Sequence, residues 1–298
     1  MRAIATALTV AALMGPAALA QEPMAANQVP STNPVAEATS PDYSAVNCSG
    51  FVTDEKVPSE VRLISGEESS SRIVFTEGNY VFISKGSAQG VRVGDRFSIV
   101  RPEKDPVEVQ WFKWQDKLLK AMGTRYRDTG QVEIVNVQPN VSTGIVKFAC
   151  MYLQRGDIAL AYVNRPSPPY KPAEQFNRFA PVSGKSVGMV VAGLDFGQIY
   201  GQNSTVYVNL GTNQGVKVGD YFRVFRYQGS TAETVAGYAD SQYSMYGFGS
   251  TPMKYQWNDL PRDVLGEGIV INVSHNAATI FITYSKTELY AGDYVEIE

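Results

Sequence analysis

Histidine is almost missing: His275 is the single one in 298 residues. A Ser-His-Asp or Cys-His machine would have to run through that one ring, which sits in S-H-N between two strand-like segments. A zinc site built on several histidines is excluded by count, and no G-x-S-x-G elbow is present. The fragment S-G-K-S, Ser183 to Ser186, has the look of the end of a phosphate loop, but Phe179 stands where that loop needs its first glycine. Charge is scarce as well. Charged residues are 18% of the chain and the net charge is -3, so no basic surface is offered to nucleic acid. No catalytic residue, metal ligand or cofactor is assigned on this basis. Two carboxylates can hydrolyse glycosides without histidine, which keeps a carboxylate-based hydrolase as a third reading.

Long apolar runs are also lacking. The only candidate, Ala3 to Met14, is too short to span a bilayer, follows Arg2 and leads into Ala-Leu-Ala before Gln21. Residues 1–20 are therefore expected to be a cleaved signal peptide, leaving an exported chain, periplasmic or outer-membrane-associated, with no transmembrane segment. Gln21 is not a cysteine, so no lipoprotein anchor is expected. Residues 21–45, rich in Pro, Ala, Ser, Asn and Thr, read as a disordered leader. Cysteine is limited to Cys48 and Cys150. In an exported chain an even pair argues for a disulfide; the alternative is a buried Cys150 and a free Cys48.

What is present is a repeat. G-S-A-Q-G-V-R-V-G-D-R-F-S-I-V-R from Gly86 returns as G-T-N-Q-G-V-K-V-G-D-Y-F-R-V-F-R from Gly211, at a constant offset of 125. A second echo, from Gly130 through Asp157 to Gly266 through Asp293, holds an offset of 136. One fold is therefore used twice, with extra residues between the two halves of the second copy. Each copy supplies six short runs rich in β-branched and aromatic residues, bounded by Gly, Asp, Pro or Asn. The expected fold is all-β: two tandem small antiparallel, SH3-like β-barrels, at 46–163 and 185–298, joined by a Pro-rich linker at 164–184.

Both copies place a Gly-Asp step before strands: Gly94-Asp95 and Gly156-Asp157 in the first, Gly219-Asp220 and Gly292-Asp293 in the second. Four identically placed acids invite a catalytic reading. Turn chemistry accounts for them more simply, since glycine takes a positive φ and aspartate accepts from the turn backbone. Between strands three and four each copy makes an excursion. The first holds Trp111, Phe112 and Trp114 with spacing suited to a short helix; the second, a long loop, holds Tyr243, Tyr246 and Trp257. These aromatics form a platform for glycan or protein, or else cap the barrels.

The cue V-Y-V-N-L-G-T-N-Q-G-V-K-V-G-D-Y-F-R-V-F, then G-I-V-I-N-V and a closing A-G-D-Y-V-E-I, resembles a C-terminal barrel module of flagellar assembly protein T and of lysin-motif-containing envelope proteins, some of which tether secretin rings of type IV pili to peptidoglycan. Through the repeat it extends to both copies. The resemblance implies a non-enzymatic envelope role, with a secretin, pilus or flagellar assembly as partner. The alternative is a peptidoglycan- or polysaccharide-binding module with cell-wall glycan as ligand. No βααβ pattern of a lysin motif fits before Cys48.

Overall fold

The computed structural model describes residues 38–104, 110–172, 176–227 and 261–298. Their strands are β1 (Phe51–Thr53), β2 (Leu63–Gly66), β3 (Val74–Phe75), β4 (Tyr80–Ile83), β5 (Arg96–Glu103), β6 (Thr124–Val137), β7 (Ser142–Ala149), β8 (Leu153–Gln154) and β9 (Ile158–Ala161) for the first copy. The second copy follows with β10 (Val187–Gly193), β11 (Ile199–Tyr200), β12 (Thr205–Val208), β13 (Tyr221–Arg226), β14 (Asp263–Val273), β15 (Ala278–Ser285), β16 (Leu289–Tyr290) and β17 (Tyr294–Ile297). Helices α1 (Tyr43–Asn47) and α2 (Gln115–Met122) both belong to the first half.

The second copy is a closed antiparallel barrel in the order β10-β12-β15-β14-β13-β17. The first has the same order, β2-β4-β7-β6-β5-β9, and its two ends meet at the Arg62–Ile158 bridge. Correspondence extends to single residues: Arg96 faces Glu133 as Tyr221 faces Ile269, and the bulge after Ile99 recurs after Val224. Even the short accessory pairs match, β3 with β8 and β11 with β16. The two barrels are thus the same strand arrangement, filled from inside by alternate residues such as Leu63, Val81, Ile99 and Ile134 in one and Val190, Val206, Val224 and Val270 in the other.

Three regions depart from expectation. Residues 38–45, assigned to the leader, are structured at their end: α1 starts at Tyr43, whose ring meets Phe148 edge-on at 5.2 Å, and Val46 packs with Ile269, Ile271 and Phe281. Burying those side chains offsets the ordering cost that the leader's composition alone could not. The Pro-rich linker, read as a semi-rigid spacer, is moreover fastened at several points. Arg165 clasps Asp128 at 2.7 and 2.9 Å, the Tyr170 N–H donates to the Thr39 carbonyl at 2.8 Å, and Lys171 reaches Glu267 and Glu298 at 2.8 and 2.6 Å. Finally, the first excursion does not cap its own barrel. Phe112 and Met122 are buried in the same apolar cluster as Val190, Val206 and Phe222, and the Gln115 amide donates to the Val191 carbonyl at 2.7 Å. Ala38–Glu298 is accordingly one compact unit.

Cys48 and Cys150 form the disulfide, with Cα atoms 5.3 Å apart. It fastens the end of α1 to the end of β7, while the strap that follows crosses to the second barrel: the Tyr207 hydroxyl donates to the Ser49 carbonyl at 2.8 Å and Val52 joins the second core. The bond closes a loop of 102 residues. By the chain-entropy model, removing it is worth about 4 to 5 kcal/mol. The Cys48→Ala, Cys150→Ala double variant should lose that much in denaturant unfolding, and thiol titration of the unfolded, unreduced protein should find no free sulfhydryl.

Candidate functional site

The repeated acids divide into two kinds. Asp95 accepts from the Arg92 N–H at 2.9 Å and Asp220 from the Lys217 N–H at 2.8 Å; both sit at the protein surface, in tight turns where Gly94 and Gly219 have φ of 90° and 94°. Only glycine adopts that backbone without strain. Asp157 and Asp293 are instead buried and ion-paired. Arg101 grips Asp157 through two bonds of 2.7 and 2.9 Å, and Arg226 grips Asp293 through two of 2.7 Å. Each carboxylate also accepts the backbone N–H three residues earlier, Gln154 at 2.9 Å and Tyr290 at 2.7 Å. Burial raises the Asp293 carboxyl from its ordinary value, against the pull of Arg226. Gly156 and Gly292, with φ of 92° and 105°, provide the turns. All four acids are engaged in holding strand ends.

The aromatic candidates separate in space. Trp111 is partly buried against the second barrel's core, whereas Trp114 is 59% exposed. Tyr243, Tyr246 and Trp257 lie outside the described residues. His275 is also at the surface, with Nδ1 3.7 Å from Asp54 and Nε2 3.3 Å from Glu55. The adjacent Ser274 hydroxyl is directed at the Val52 carbonyl, 2.7 Å away, and not at the imidazole. Among the described residues no cluster of three or more His, Cys, Asp or Glu side chains is placed to hold a metal ion.

Sequence reasoning missed the seam between the barrels. There Arg125 of β6 is buried, with its guanidinium carbon 3.6 Å from the Phe196 ring centre and 5.1 Å from that of Tyr207. It donates to the Leu194 carbonyl and lies 3.5 Å from Glu103, while its Nε has no partner among the described residues. Burial lowers its pKa, partly countered by Tyr207 and Glu103. Arg127 reinforces the junction, donating to the same carbonyl at 2.5 Å and to Glu103 at 2.8 Å. A cavity of about 590 Å³ opens here, lined by Lys104, Leu119, Lys120, Arg125 and Phe196 among others. Its lining combines apolar side chains with cationic groups, balanced by Glu103 and Asp116. Neither Arg125 nor Phe196 belongs to a repeated motif, and β6 carries several other polar residues, so no signal in the sequence flagged the seam.

Two predictions follow from this geometry. Asp157→Asn and Asp293→Asn should each cost roughly 3 to 5 kcal/mol in unfolding measurements, because a largely buried arginine loses its counter-charge. Asp95→Asn and Asp220→Asn, at the surface and still able to accept, should cost less than about 1 kcal/mol. Tyr207 tests the seam by pH: burial pushes its phenol above the ordinary value of 10.0. A raised pKa means the folded state holds the proton more tightly, so stability is intact below about pH 10 and falls above it by up to roughly 1.4 kcal/mol per unit. Tyr207→Phe should flatten that alkaline slope in urea unfolding, at a fixed cost from the unpaired Ser49 carbonyl; an unchanged slope would exclude Tyr207 as the source.

Compared with protein-family models and with curated proteins, the chain matches no family model and no curated sequence, so its functional reading rests on this geometry and on the sequence.

Proposed function

We propose that the protein is a non-enzymatic, exported component of the cell envelope that acts by binding, as an accessory of a secretin, pilus or flagellar assembly. One observation carries the reading: all four carboxylates repeated between the copies are engaged in turns and buried ion pairs. A hydrolase working through two acids needs them free and facing a substrate cleft, which argues against the carboxylate-hydrolase reading. The Cys48–Cys150 bond fits an oxidising compartment, and among the described residues no helix is long and apolar enough to cross a membrane. Two barrels joined by a strap, an excursion and a disulfide form a pre-organised body, which lowers the ordering cost of binding a partner.

Trp114, exposed and beside Lys113 at 5.0 Å, is an exposed tryptophan of the kind that anchors interfaces. Tagged mature protein should retain a discrete protein partner from envelope extract after crosslinking. Trp114→Ala should weaken that retention by roughly tenfold or more with an unchanged melting curve. Trp111→Ala, which opens space against the second core, should lower the melting temperature instead. Retention on purified peptidoglycan with no protein partner would replace the assembly role with the polysaccharide-binding one.

A further inference from the structure

The two copies differ in what lies along the groove beside their closing strand pair, β5 with β9 in the first and β13 with β17 in the second. In the second copy the Pro-rich linker runs along it. Pro168 is buried, and its Cβ lies 3.8 Å from where a side chain on Gly219 would begin. Three residues on, the Lys171 N–H donates to the Tyr221 hydroxyl at 2.9 Å, while the Lys171 ammonium reaches Glu298 at 2.6 Å and stands 4.7 Å from the Tyr221 ring centre. Lys185 adds a bond to the Glu298 carbonyl. The repeat offsets make Gly94, Arg96, Ala161 and Tyr162 the counterparts of Gly219, Tyr221, Ile297 and Glu298. The register agrees, since Phe97 faces Ala161 as Phe222 faces Ile297. Yet a side chain begun at Gly94 would meet nothing within 4 Å among the described residues. Ile297 is buried and Tyr221 half-buried, whereas Ala161 and Arg96 are exposed.

The exposed groove is a cavity of about 490 Å³, lined by Lys85, Gly94, Asp95, Arg96, Ala161 and Tyr162 among others. It differs from its counterpart chiefly in charge. Lys85 and Arg96 stand where the second copy has Leu210 and Tyr221, and Tyr162 stands where it has Glu298. The acid of the second groove receives the linker's Lys171; the first groove presents two cations instead. Asp95 is committed to the Arg92 N–H at 2.9 Å. Glu133 lies 3.7 Å from Arg96, beyond hydrogen-bond distance, and the Arg96 side chain stays 46% exposed above the Tyr162 ring at 5.1 Å. One end is closed, because the Tyr43 hydroxyl donates to Gln131, the counterpart of Glu267, at 2.9 Å. A ligand of this groove therefore takes the place of Pro168 and not that of the Lys171 ammonium. Proline fixes its own φ and holds the preceding residue extended, so a proline-containing segment enters with little left to order. The cations then select a carboxylate.

We infer that the first-barrel groove at Gly94, Arg96 and Tyr162 binds an extended, proline-containing segment of a partner protein, with an acidic side chain of that segment at Lys85 and Arg96, as the second groove holds the chain's own linker. This goes beyond the envelope reading and does not depend on it, since the groove, its ligand class and its charge preference are measured on the isolated chain.

The test is a titration of the mature chain with short peptides, followed by backbone amide NMR, with melting curves on every variant. The probe is Ser-Pro-Pro-Tyr-Glu-Pro blocked at both ends, which is the linker sequence with glutamate in the place of Lys171. It should shift the amides of Gly94, Arg96 and Phe97 with a dissociation constant of roughly 1 mM or tighter. The same peptide with lysine restored, and one with alanine for every proline, should each bind roughly tenfold more weakly or less. Arg96→Glu should reverse the preference, losing the glutamate peptide and taking up the lysine peptide, with an unchanged melting curve. Lys85→Glu serves in its place if Arg96→Glu lowers the melting temperature. No shift at the groove with millimolar glutamate peptide overturns the inference, as does equal binding of all three peptides or a preference that neither variant moves. A chain lacking residues 21–37 is titrated in parallel. Binding that appears only in that chain assigns the groove to the protein's own leader and overturns the assignment to a partner.

Discussion

The outer face of the second barrel cannot stand in water, and much of the molecule is arranged to cover it. Val191, Tyr207, Ile269, Ile271 and Phe281 point away from the barrel interior yet are buried. Burying an aliphatic or aromatic side chain is worth about 1.5 to 3 kcal/mol, enough to order segments whose own composition would leave them loose. The strap from Tyr43 to Thr53 and helix α2 are those segments. The disulfide then pins the strap at Cys48, and β1, paired with Thr124–Tyr126 of β6, fixes where it ends.

Covering that face brings charge into the seam. Arg125 and Arg127 arrive on β6 because the strand runs past its own barrel to meet β1, and Arg125 is desolvated there. Its cost is offset by stacking on Phe196, by the Leu194 carbonyl and by Glu103. Asp128, three residues on from Arg125, accepts the Gly50 N–H at 3.0 Å and the Arg165 fork, so strap, barrel and linker converge on one carboxylate. The polar groups of the seam thus set which surfaces meet, while the apolar face supplies the gain.

Much of the fold was legible because its signals are local. The six principal strands of each copy follow from β-branched runs between turn residues, and the offsets of 125 and 136 carry over into the strand register residue by residue. The roles of Asp95 and Asp220 were legible for the same reason, since a turn is closed by its own neighbours. What escaped was long-range. The two-residue strands β3, β8, β11 and β16 are too short to show a period, and residues 38–45 gain order only from partners more than a hundred positions away. One sign of the covered face was nevertheless in the chain: Ile269, Val270 and Ile271 run without a polar residue, whereas the first copy has Glu133 at the position of Ile269. At that position the two copies differ in the sense that a covered second barrel requires.

This asymmetry bears on where such a protein can acquire function. The interiors, the paired Arg101–Asp157 and Arg226–Asp293 clamps and the glycine turns are constrained alike in both copies, since any change there breaks a strand end or a core. The excursions between strands three and four differ in length and sequence, as connections outside a barrel's paired strands commonly do. One of them has become part of the structure by burying its aromatics against the neighbouring barrel. Once that happened the two barrels could no longer move independently, and surfaces on different barrels were fixed in one frame. A ligand that touches both then meets a body already ordered, so the binding free energy is not spent on aligning domains.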